Sequence, residues 1–118
     1  MAAPYSVFRS LDVQNGTAAN VKTTPGRLLG WYISNANAAA VFVKFYNKAA
    51  ATVGTDTPYL TVRIPAASAT NINFGGGSSY ANSGIPFDAL SIGAVTGVAD
   101  ANTTAPTAND IVANVFYA

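Results

Sequence analysis

The chain has 118 residues, half of them hydrophobic, with only 9% charged and a formal net charge of +1. It contains no His, no Cys and no Glu, so the usual proton shuttle, the thiolate nucleophile and a disulfide framework are all excluded. The length fits one domain, and Arg9, Lys22, Arg27, Lys44, Lys48 and Arg63 are too scattered to form a patch for nucleic acid or an anionic membrane.

Residues 1–10 read as an N-terminal arm or as a first strand, with Tyr5, Val7 and Phe8 as its apolar side chains. The stretch lacks a basic n-region and is broken by Arg9, so it does not read as a signal peptide. As a strand it covers residues 5–12 and closes at Gln14-Asn15-Gly16, a turn signal because Asn and Gly accept positive φ. A short segment, 19–23, ends at Pro25-Gly26. Residues 27–34 alternate, with Leu29, Trp31 and Ile33 on one face and Leu28, Gly30, Tyr32 and Ser34 on the other.

Asn35-Ala36-Asn37 turns the chain into residues 40–46, where Val41, Val43 and Phe45 alternate with Phe42, Lys44 and Tyr46. The connection 47–58 begins Ala-rich but is too short for a stable helix before Val53-Gly54. Residues 59–64 alternate again, Leu60, Val62 and Ile64 inward and Tyr59, Thr61 and Arg63 outward. Residues 70–74 set Ile72 and Phe74 opposite Asn71 and Asn73. Beyond the Gly-rich loop 75–84, segments 85–87 and 89–95 are apolar; a polar stretch, 97–109, leads to a last strand, 111–117. About eight short strands without a helix of substance predict one all-β domain, an antiparallel β-sandwich or jelly roll. Leu29, Trp31, Ile33, Val41, Val43, Phe45, Leu60, Val62, Ile64, Ile72 and Phe74 are its expected core.

The chemistry-bearing candidates are few. Gly75-Gly76-Gly77 lacks the following helix and Lys-Ser/Thr pair of a phosphate loop, since Gly84-Ile85-Pro86 cannot open a helix. Asp100, Asn102, Asn109 and Asp110 offer oxygen atoms, but the spacing is not an EF-hand and no Glu is available as a bidentate ligand. Trp31 falls on the core face, which leaves Tyr32, Tyr46 and Tyr59 as the outward aromatics on neighbouring strands. No base stands ready to activate a Ser or Thr, and the five Asp lie mostly at turns. The expectation is a protein without catalytic, metal or cofactor sites.

A folded surface so poor in charge is adhesive at high concentration, which suits a protein packed against copies of itself or a partner. The succession Gly30-Trp31-Tyr32-Ile33-Ser34-Asn35, Phe42-Val43-Lys44-Phe45-Tyr46-Asn47-Lys48-Ala49 and Val53-Gly54-Thr55-Asp56-Thr57-Pro58 resembles small virion proteins of tailed bacteriophages. Ile64-Pro65, Gly84-Ile85-Pro86-Phe87 and the terminal strand 111–117 extend the likeness over roughly residues 28–117. Residues 75–83 depart from it as an insertion before the Gly-Ile step. The resemblance implies a β-sandwich on the virion surface that decorates or cements a capsid, with the major capsid protein and copies of itself, as in a trimer, for partners. A tail, neck or fibre component is the alternative within the virion. From another class, a carbohydrate-binding module would use Tyr32, Tyr46 and Tyr59 as stacking platforms. For assembly, the expected interface side chains are Tyr5, Val7, Phe8, Tyr32, Tyr46, Tyr59 and Tyr80.

Overall fold

In a computed structural model, which describes residues 6–74 and 84–118, the alternating segments become nine strands. These are β1 (Ser6–Ser10), β2 (Ala19–Lys22), β3 (Gly26–Asn35), β4 (Val41–Tyr46), β5 (Leu60–Ile64), β6 (Ser68–Asn73), β7 (Ile85–Phe87), β8 (Leu90–Val95) and β9 (Ile111–Tyr117). The first sheet runs β1-β9-β3-β6, with β7 also beside β3; the second runs β2-β8-β4-β5. Every pairing is antiparallel.

The pairs β1–β9, β2–β8, β3–β6 and β4–β5 join the two halves of the chain like one long hairpin ribbon. The ribbon then rolls up, adding β3–β9 and β4–β8, so that the chain changes sheet at every step except β4 to β5 and β6 to β7. This is the double Greek-key winding of a jelly roll. Residues 6–10 are therefore a strand of the sandwich, the second of the two readings of that segment.

Between the sheets, Trp31, Ile33, Val41, Val43, Phe45 and Ile64 are buried together with Ile92, Ile111, Ala113 and Val115. Leu60, Val62, Ile72 and Phe74 pack against that cluster from partly buried positions near the rim. Trp31 lies 5.3 Å from Phe45 in a tilted arrangement and 5.7 Å, edge-on, from Phe74. Leu29 does not join them. A register shift between Leu28 and Gly30 puts Leu28 in the core and leaves Leu29 buried elsewhere, near Gly84. Strict alternation mispredicts this one position because a β-bulge inserts a residue into the period of two. Gly30 is required there, since a Cβ would collide with the Ile72 carbonyl oxygen.

Asn35, 2% exposed, secures the β3–β4 turn. Its Nδ2 donates to the carbonyls of Ala39, Ile64 and Pro65 at 3.0–3.2 Å, and its Oδ1 accepts from the Asn37 amide at 2.9 Å. A buried amide so engaged replaces the water it loses and ties two turns at one end of the sandwich.

Candidate interaction surface

Each sheet has an outer face, and the two faces differ. On the second sheet, alternation sends Phe42, Lys44 and Tyr46 outward, yet Lys44 is 0% exposed and Tyr46 1%. The cover is the chain itself. Ala51 and Val53 of the connection 47–58 pack with Tyr46, Ala18 and Val95, and Phe42 leans on this second cluster. Backbone bonds fasten that connection down: Ala18 N donates to Ala51 O at 2.7 Å and Val53 N to Gly16 O at 2.8 Å. The Ser91 hydroxyl donates to Lys48 O at 2.6 Å, and Asp56 accepts from the Thr52 amide at 2.7 Å and from the Lys48 ammonium at 3.1 Å. Gly93 lets the connection close in, for a Cβ there would stand 2.7 Å from Val53 Cγ2.

A second flap comes from the stretch after β8. Asn102 Oδ1 accepts from the amides of Gly97 and Thr104, each at 3.2 Å, which shapes a loop whose Ala99 carbonyl accepts from Lys44 Nζ. Burial holds the Lys44 ammonium below its usual pKa, with Asp100 opposing the shift. Burial likewise raises the Tyr46 hydroxyl, aided by the negative charges of Asp100 and Asp56, and that hydroxyl has no hydrogen-bond partner among the described residues. Tyr46 is thus corrected from interface residue to interior residue. Alternation reports which side of a sheet a side chain takes, not what lies over that side. The cover stops short of β5, where Thr61 and Arg63 are exposed.

The first sheet has no such cover among the described residues. Its register builds outward rows: Val7, Phe116, Gly30 and Asn73 in one, Arg9, Asn114, Tyr32 and Asn71 in the next, then Val112, Ser34 and Ala69. Tyr32 is 47% exposed and Val7 53%; Leu11, one residue past β1, is 52% exposed. Those are three of the five large hydrophobics exposed among the described residues. Arg9 is the one charged side chain in these rows, at the edge strand.

The other expected interface residues scatter. Phe8 points inward and packs against the core cluster. Tyr59, 42% exposed, sits ahead of β5 on the second sheet, its hydroxyl donating to Pro86 O at 2.7 Å. Tyr5 and Tyr80 lie outside the described residues, as does the Gly75-Gly76-Gly77 loop. Tyr32, Tyr46 and Tyr59 therefore form no shared aromatic platform. Phe116, Asn114 and Val112 were missed, although the alternation of β9 places them opposite Ile111, Ala113 and Val115.

Among the described residues no three His, Cys, Asp or Glu side chains gather as metal ligands would. Asn102 serves its own loop, and the Asn109 amide donates to Asp12 Oδ1 at 2.8 Å. That bond, together with one from the Gln14 side chain, holds the Asp12 carboxyl below its ordinary value.

No family model matches the chain, and neither a curated protein nor a solved structure shows significant similarity to it.

Proposed function

We propose that the protein is a non-enzymatic structural component of a tailed-phage virion, a decoration or cement protein that bridges capsid subunits. The observation that carries this reading is the outer face of the first sheet, where the exposed Val7 and Tyr32 stand with Val112 among polar side chains, no other described element lies over them, and Arg9 is the one charge in their rows. Large apolar side chains left exposed on one face mark a candidate interaction site. The jelly roll itself recurs in capsid and lectin proteins alike, so it supports the reading only by analogy.

Attachment through such a face relies on buried apolar area and amide hydrogen bonds. Many copies, each removing an interface of roughly 1,600 Å² from water, act together on a shell. Isolated surface ion pairs would add only about 0–1 kcal/mol each and are screened by salt. The test is re-addition of the purified chain to capsids lacking it, with cryo-EM occupancy read at low and high sodium chloride. Density across capsid joints, changing little with salt, is expected. Absence of density on the shell, or a steep loss of occupancy with salt, overturns the proposal.

A further inference from the structure

We propose that the outer edge of β6 pairs with β6 of a second copy of this chain, antiparallel about a two-fold axis, so that the first sheets of two molecules join into one. The inference rests on reading the protein as one that assembles, and it names a partner that needs neither outer face.

The edges of the two sheets are unequal. Among the described residues, β1, β2, β5, β6 and β7 each pair with one other strand and leave their far side open. All but β6 carry a feature that blunts an edge against further pairing. β1 holds Arg9 and β5 holds Arg63. β2 holds Lys22 and a register shift, and the short β7 holds Pro86, which has no N–H to give. β6 has no charge, no proline and no shift in its register, and with 6 residues it is the longest of these strands.

The backbone pattern identifies the groups on offer. Phe74 N donates to Leu29 O at 2.6 Å, and the pairing of β6 with β3 runs on from there without a break. Antiparallel bonds alternate along a strand, so Ile72, Thr70 and Ser68 bond to β3 while Asn71 and Ala69 turn their N–H and C=O groups away from it. Ser68, Ala69 and Asn71 are exposed. A two-fold axis at Thr70 sets Ala69 opposite Asn71 of the other copy, and each such couple exchanges both of its backbone bonds. Thr70 then meets the other copy's Thr70, a favourable cross-strand pair, and Ser68 meets Ile72. The ladder ends at Ile72 and makes no use of Asn73.

Charge argues that the partner is a second copy. A two-fold axis beside β1, β2 or β5 would bring Arg9, Lys22 or Arg63 close to its own counterpart, whereas the axis beside β6 brings together only uncharged groups. A foreign acidic strand would meet no such repulsion at the cationic edges, so the edge kept free of charge is the one suited to meeting itself. So short a ladder is weak in dilute solution and strengthened wherever copies are held close together.

Sedimentation and amide hydrogen exchange of the full chain from micromolar to millimolar concentration test this. The mass should rise from 12.0 kDa toward twice that value. In step with it, the Ala69 and Asn71 amides should pass from fast to slow exchange, while those of Thr70 and Ile72 stay slow throughout because they bond to β3. Asn71→Pro, which removes an N–H that β3 does not use, should weaken association roughly tenfold or more in a chain still folded by circular dichroism. Asn71→Ala keeps that N–H and should associate as the parent does. If the proline variant does not fold, Asn71→Lys and Ala69→Asp should each weaken association, and their equimolar mixture should recover it by setting cation against anion. A constant 12.0 kDa at millimolar concentration overturns the proposal, as does association that leaves the Ala69 and Asn71 amides unprotected. Undiminished association of Asn71→Pro, or failure of the charged mixture to recover, overturns it equally. A monomer that still decorates capsids would refute the pair and leave the virion reading standing; a pair that never binds capsids would do the reverse.

Discussion

On the outer side of β4, Phe42, Lys44 and Tyr46 lie under the chain's own connections, whereas on the outer side of β3 and β9, Tyr32 and Asn114 lie under none of the described residues. The strands are alike in pattern: each alternates, and each puts aromatic and polar side chains outward. What separates the faces is the connections. Residues 47–58 and the stretch after β8 carry Ala51, Val53 and the Ala99 carbonyl to where they meet β4, while the turn after β3 is short and pinned by Asn35. A tyrosine at an outward strand position therefore serves folding on one sheet and remains exposed on the other.

The sharpest way to break that comparison is to truncate a tyrosine on each face and measure urea unfolding in dilute solution. Tyr46→Ala should cost about 3–5 kcal/mol, as for large aromatics removed from a packed interior. Tyr32→Ala should cost under about 1 kcal/mol, because little of what it touches is lost from water. Tyr46→Phe should be neutral or stabilising, since it deletes a buried hydroxyl without a partner among the described residues. Equal losses for the two alanine variants would show that the faces do not differ in burial.

A smaller effect is expected at Gly93, where the covering connection comes closest. Gly93→Ala should destabilise by about 1–3 kcal/mol by pressing on Val53, and Val53→Ala in the same chain should recover part of that loss. Strict additivity of the two changes would mean that the connection is not seated on β8 as described.

The smallest effect is one of pH. Burial lowers the Lys44 pKa, so the folded chain gives up this proton before the unfolded chain does. Stability should therefore rise with pH in the window just below the ordinary value of 10.5. Burial raises the Tyr46 pKa, so the folded chain keeps that proton longer and the slope should turn downward above 10.0. Lys44→Met should remove the rise and keep the fall. A rise of the same size in that variant would assign it to some other group.

Much of this was legible beforehand. The alternation of 27–34, 40–46 and 59–64 marks strands with the correct inward residues except Leu29, and Asn35-Ala36-Asn37 marks the turn from the first of them to the second. The outer face of the first sheet was half legible: Tyr32, Asn71 and Asn73 stand outward by the same rule that would have found Asn114 and Phe116. Leu29 shows one limit, because nothing in Leu28-Leu29-Gly30 announces a bulge except the glycine. Tyr46 and Lys44 show the other. Their outward placement was right, and their exposure was not.

The physical reason lies in range. Strand formation and the choice of side depend on a period of two residues and on local turn chemistry, so the sequence by itself determined an all-β chain and the apolar set between its sheets. Which strands pair, and which outer face the long connections cover, depend on contacts between residues far apart in the chain, such as Lys44 with Ala99 and Asn20 with Ala50. Only the rolled-up tertiary structure decided those. It buried one outer face beneath residues 47–58 and the flap after β8, and left the face around Tyr32 without a cover among the described residues.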